Sequence, residues 1–145
     1  MSDFGRVVLD TSTLVSAALR VGSVPHRVLV QALQIAEVCV CAATLAELDE
    51  VLMRPKFDRY QTAEIRQDFL AFIHQRASMF EVSEPDVTGV HPPCRDPKDN
   101  PFLALAQRCA ARYLVSSDAD LLVLHPWNGV HIVAPASFLA LVQLH

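Results

Sequence analysis

Short, largely apolar runs alternate along this chain with longer stretches in which apolar residues recur every three or four positions. The runs at 6–10, 37–42, 112–116 and 130–133 are short and largely apolar, the first of them β-branched, the pattern of parallel strands covered on both faces. The intervening stretches predict helices over 13–19 and 25–35, with Val28, Leu29, Ala32, Leu33 and Ile35 supplying the apolar face of the second. A third helix runs from 43, with Thr44 as its N-cap and Leu45, Leu48, Val51 and Leu52 facing inward, until Pro55 makes continuation costly. Helices at 62–77, 102–111 and 136–144 and a brief edge strand at 79–82 complete the series. Residues 84–101, carrying Pro85, Gly89, Pro92, Pro93, Pro97 and Pro101, read as a loop over the sheet edge. Such strand-helix alternation predicts an α/β fold: a three-layer, Rossmann-like α/β/α sandwich with a central parallel sheet, in one domain spanning 1–145.

Two apolar runs end in acids. Asp10 closes the first, and Ser116-Ser117-Asp118-Ala119-Asp120 follows the run at 112–116. Glu47 falls in the first turn of the helix from 43, and Asp99 stands as N-cap of the helix from 102, with Pro101 in its first turn. Each acid alone has an ordinary explanation as a cap or a macrodipole partner. Together they are distant in sequence yet directed to the same edge of a parallel sheet. Carboxylates gathered there repel unless protons or a cation neutralise them, which points to a hard divalent ion, Mg²⁺ or Mn²⁺. One such ion acidifies water and polarises a phosphoryl oxygen, and two roughly 3.5–4 Å apart serve both ends of an in-line displacement. Phosphodiester hydrolysis is the expected chemistry, with Ser12, Ser116 and Ser117 available to orient carboxylates or water.

The composition is 52% hydrophobic and 19% charged, which excludes a disordered chain. No apolar run reaches the roughly 18 residues of a membrane span, and Asp3 and Arg6 do not fit a secretory leader, so a soluble cytoplasmic protein is expected. A net charge of −4 argues against nucleic-acid binding by bulk attraction but not against an acidic metal site beside a basic rim. The densest basic segment, Arg54-Pro55-Lys56-Phe57-Asp58-Arg59-Tyr60, is either a solvated connection or a phosphate-contacting rim with interleaved aromatics. Cys39, Cys41, Cys94 and Cys109 form no C-x-x-C pair and read as reduced core residues, and the histidines, His145 included, lack ligand spacing.

Four segments resemble the successive motifs of PIN domains: Val8-Leu9-Asp10-Thr11-Ser12-Thr13-Leu14-Val15, Ala46-Glu47-Leu48-Asp49-Glu50-Val51-Leu52, Cys94-Arg95-Asp96-Pro97-Lys98-Asp99-Asn100-Pro101-Phe102, and Leu114-Val115-Ser116-Ser117-Asp118-Ala119-Asp120-Leu121. The likeness runs from about residue 6 to 135 and is strongest to the toxin components (VapC-like) of type II toxin-antitoxin systems. It implies a Mg²⁺- or Mn²⁺-dependent ribonuclease, homodimeric and held inactive by a cognate antitoxin. By position it makes Asp10, Glu47, Asp99 and Asp118 the catalytic metal ligands, with Asp120 a reserve ligand and Ser12, Ser116 and Asp96 supporting them. Arg54, Lys56, Arg59 and Arg95 are the candidates for RNA contact. Ser12 stands where this branch usually has Asn, Ser116 where Thr is common, and Lys98 where an acid is frequent.

Other strand-then-Asp enzymes fit less well. A haloacid-dehalogenase-type phosphatase needs a second acid where Ser12 stands, and a receiver domain needs an Asp where Cys41-Ala42 ends the middle strand. The alternative that stays open is a PIN module of weak or no activity that binds RNA or a protein.

Overall fold

A computed structural model describes residues 4–144. Asp3 and His145, invoked above, lie outside the described residues. Five strands, β1 (Arg6–Leu9), β2 (Glu37–Val40), β3 (Ser78–Met79), β4 (Tyr113–Val115) and β5 (His131–Val133), form one sheet in the order β3-β2-β1-β4-β5, every pair parallel. The helices are α1 (Thr11–Leu19), α2 (Val24–Ile35), α3 (Ala42–Leu52), α4 (Ala63–Arg76), α5 (Glu84–Thr88), α6 (Asn100–Arg108), α7 (Ala119–Leu122) and α8 (Pro135–Gln143), with 3₁₀ turns at Pro55–Phe57 and Pro97–Asp99. None of the described helices is long and apolar enough to cross a membrane.

Strand alternation builds the three layers. Val7, Leu9, Val38, Val40 and Val115 point into a core with α1–α4 and α8, while Val8, Cys39, Cys41, Leu114 and Ile132 point into a second core with α6, α7 and Trp127. Leu48 and Leu103 are wholly buried, one in each core, where truncation to alanine costs about 2–5 kcal/mol. Trp127 is also buried, and its indole N–H donates to the Pro92 carbonyl at 2.8 Å, fastening the proline-rich segment to the second core.

The element order matches the predicted alternation apart from two short helices that were not expected, α5 and α7, and the remaining differences lie at element ends. The segment 84–101 is not all loop. Ser83 and Asp86 cap α5 reciprocally, with Asp86 N–H donating to Ser83 Oγ at 3.2 Å and Ser83 N–H to Asp86 Oδ2 at 2.9 Å. Thr44 is not the N-cap of α3. Cys41 is, and Thr44 Oγ1 reaches back to accept from Cys41 N–H and donate to the Cys41 carbonyl, both at 3.1 Å. Starting α3 two residues before the predicted cap moves Glu47 into the second turn, away from the helix end where the macrodipole acts.

Strand order fixes where a ligand can sit. The chain builds outward from β1 through β2 to β3, then returns to the other side of β1 for β4 and β5. The carboxyl ends of β1 and β4 therefore flank the point where winding reverses, and α1 and α7 leave in different directions. A crevice opens there, as in other doubly wound sheets.

Candidate active site

Asp10 continues from β1, its N–H still donating to the Val115 carbonyl at 3.1 Å, and caps α1. Its carboxylate is buried and held by three donors: Thr13 N–H at 3.0 Å and Ser12 Oγ at 3.2 Å to Oδ1, and Ser116 Oγ at 2.5 Å to Oδ2. Ser116, itself fully buried at the end of β4, also accepts from Asp118 N–H at 2.9 Å. One hydroxyl thus ties the carboxylate after β1 to the backbone of the acid after β4. Asp118 caps α7 by accepting from Asp120 N–H at 2.9 Å.

Asp10, Glu47, Asp99 and Asp118 all line one cleft of about 670 Å³. None of the four forms an ion pair among the described residues. Asp99 precedes α6 but makes no side-chain capping bond, contrary to expectation, so its carboxyl is left to the cleft. Burial, a hydrogen bond shared with Asp118, and the charges of Asp118, Asp96 and Asp10 push its pKa up to about 7. Asp99 accordingly keeps its proton far above the usual carboxylate range, as expected where several acids face one space. The nearby Cys94 thiol lies 3.9 Å from Asp99 Oδ2 and 3.5 Å from the Asp120 carbonyl. Burial, aided by Asp99, Asp118 and Asp120, raises its pKa, so it stays a thiol and is a poor nucleophile.

The remaining expected site residues are spread more widely. Asp120 and Asp96 do not line the cleft; Asp96 accepts from Lys98 N–H at 3.1 Å to start the Pro97–Asp99 turn. Ser12 and Ser116 hold Asp10, whereas Ser117 is exposed. Lys98 and Arg95 are exposed and form no ion pair among the described residues. Arg54 is engaged by Glu50 at 3.0 and 3.1 Å. Lys56 lies over the Phe57 ring at 5.1 Å and Arg59 over the Tyr60 ring at 5.1 Å. Phe57 and Tyr60 line the same cleft as the acids, and so does Arg20, whose guanidinium is 5.7 Å from the Tyr60 centroid. Arg20 was not foreseen, because a single basic residue at a helix end carries no pattern.

The donors suit a hard cation in kind, being carboxylates and hydroxyls around one cleft. Among the described residues, no three Asp, Glu, His or Cys side chains are gathered closely enough to hold a metal ion as they stand. Mg²⁺, which keeps several waters and takes one or two carboxylates directly, is compatible with that looser arrangement.

A doubly wound parallel sheet with acids from four different elements converging at its switch point defines a Rossmann-like protein with an acidic cleft. Residues 6–120 match the sequence profile of the PIN domain, and the chain belongs to that family. The fold is similar to that of PAE2754 from Pyrobaculum aerophilum, with a TM-score of 0.62 and 15% identity over 99% of this chain and 93% of the other. It is also similar to VapBC2 from Rickettsia felis, a structure bound to a DNA fragment from their promoter, with a TM-score of 0.61 and 14% identity over 89% of this chain and 98% of that one. No curated protein matches the chain.

Proposed function

We propose that this PIN domain is a Mg²⁺- or Mn²⁺-dependent endoribonuclease and the toxin of a toxin-antitoxin pair. The observation that carries the reading is that Asp10, Glu47, Asp99 and Asp118 share one cleft without a cationic partner among the described residues. These four would hold the ion, which when bound supplies a Lewis acid for the phosphoryl group and acidifies water. Asp10 is oriented before substrate arrives, since three donors fix both its oxygens. Glu47, half-buried and without a side-chain hydrogen bond among the described residues, is the acid most able to turn toward an attacking water and accept its proton. Asp99 must release its proton before it adds charge to the cleft, so cation and proton compete there.

A protein partner is supported by an apolar groove of about 500 Å³ against α2 and α4, lined by Val21, Val30, Ile65 and Phe72, all exposed. In this reading the groove takes the apolar face of the antitoxin. RNA as substrate and a homodimer belong to the same proposal.

The test is cleavage of single-stranded RNA with and without Mn²⁺. The parent cuts only with metal, and Asp10→Asn loses cleavage while retaining its circular dichroism. Cutting by Asp10→Asn at the parental rate refutes the assignment. The absence of a pre-assembled cage among the described residues favours a second reading, a binding module of low activity. Calorimetric Mn²⁺ titration separates the two, because that module takes up no ion.

A further inference from the structure

We infer that the Arg20–Tyr60 end of the cleft is a subsite for one unpaired nucleobase of a single-stranded chain, with Tyr60 as the stacking surface and Arg20 as the contact for the adjoining phosphate. The inference rests on the nuclease reading for the placement of the scissile phosphate at the acids. The nine residues of α1, about 14 Å, separate Asp10 from Arg20, so the cleft has two chemically distinct ends. One is carboxylate; the other is aromatic and cationic, with Phe57, Tyr60 and Arg20 beside the apolar Leu19 and Val51. Phosphate alone explains a basic rim but not aromatic rings set into it. A planar, uncharged ring attached to an anion matches both parts.

The site is built in advance. Arg66 is buried in α4 and donates to the carbonyls of Leu52 at 2.9 Å, Arg54 at 3.3 Å and Gln61 at 3.1 Å, while pairing with Asp58. These bonds clasp the segment 54–61 that carries Phe57 and Tyr60. Gln61 Nε2 then donates to the Leu19 carbonyl at 3.5 Å, tying the segment to the end of α1 next to Arg20. Tyr60 remains 42% exposed, with the exposed guanidinia of Arg59 and Arg20 at 5.1 and 5.7 Å from its centroid and neither in an ion pair among the described residues, so a base takes the ring as these guanidinia move to its phosphates. A base in a duplex cannot present its face to Tyr60 without unstacking, so the subsite selects unpaired strands.

The experiment uses the full chain in EDTA, so that hydrolysis does not obscure binding, with single-stranded RNA hexamers carrying 2-aminopurine or an abasic site at each position in turn. The expected result is fluorescence quenching at one position and weakening there by the abasic site. Tyr60→Ala should weaken binding of the intact hexamer between about fivefold and about a hundredfold and abolish the quench, with no further loss on the abasic hexamer. Tyr60→Phe should keep both binding and quench. Arg20→Gln should weaken intact and abasic hexamers alike and lower the salt slope by about 0.7. A Tyr60→Ala protein that prefers the intact over the abasic hexamer as strongly as its parent overturns the inference, as does duplex RNA binding as tightly as the single strand. An unchanged salt slope in Arg20→Gln overturns the phosphate contact. If the parent cleaves in Mn²⁺ while Tyr60→Ala binds and cleaves identically, the subsite falls and the nuclease stands. Tyr60-dependent quenching by a parent that never cleaves leaves the subsite and removes the nuclease.

Discussion

Replacing Arg66 by Met removes a buried guanidinium while keeping most of the aliphatic volume, and the structure says where the cost falls. Arg66 is 1% exposed, whereas the side chain of its charged partner Asp58 is 66% exposed and recovers hydration once released. The ion pair therefore contributes little, about 1 kcal/mol or less as for other surface pairs. The Leu52 carbonyl is different. Its hydrogen bond to Arg66 is buried, and leaving that acceptor unpaired costs about 1–3 kcal/mol. The Arg54 and Gln61 carbonyls are partly buried and lose a charge-assisted bond each, though water can reach them. The expected destabilisation is about 3 kcal/mol, or roughly 10 °C in Tm for a chain of this size. Urea denaturation followed by circular dichroism measures it, with Asp58→Asn as the comparison and an expected change under about 1 kcal/mol. If Asp58→Asn costs as much as Arg66→Met, the stabilisation resides in the ion pair and the reasoning from buried carbonyls is refuted.

Two further outcomes follow from the acid cluster. The folded protein holds the Asp99 proton up to about pH 7 and the unfolded chain releases it near 3.8, so metal-free stability should fall as pH rises between those values. The full shift corresponds to roughly 4 kcal/mol, which solvent screening at this half-buried site reduces to about 1–2 kcal/mol. Asp99→Asn should be that much more stable than the parent at pH 8 and equal to it near pH 4 in thermal melts, and a pH-independent difference would contradict the assignment. Ser116→Ala removes both the 2.5 Å bond to Asp10 and the acceptor for Asp118 N–H, and should cost about 2 kcal/mol in denaturation with loss of RNA cleavage. Full activity in that variant would show that Asp10 needs no such support.

The strand-helix order was legible because most strands are short, largely apolar runs, and the two strand-end acids because the runs of β1 and β4 are closed by polar residues. Asp10 and Asp118 could be placed at a common edge from the parallel topology alone. The placement of Glu47 was less visible, because Thr44 looked like a cap when its hydroxyl in fact serves Cys41 from inside the helix. Asp99 likewise read as a cap, and only three-dimensional crowding by Asp118, Asp96 and Asp10 reveals the retained proton. Arg66 was invisible to hydrophobic periodicity, since its partners are main-chain carbonyls up to fourteen positions away. Arg20 meets Tyr60 only through folding, forty residues apart in the chain.

All four cysteines, Cys39, Cys41, Cys94 and Cys109, are buried in the same one of the two cores. A thiol reagent therefore reacts only when the α6–α7 side parts from the sheet and is blind to opening of the α1–α4 side. Native-state alkylation followed by peptide mapping would time the breathing of one half of the molecule with no label introduced, and a bound partner's effect on that half could be read from the same reaction.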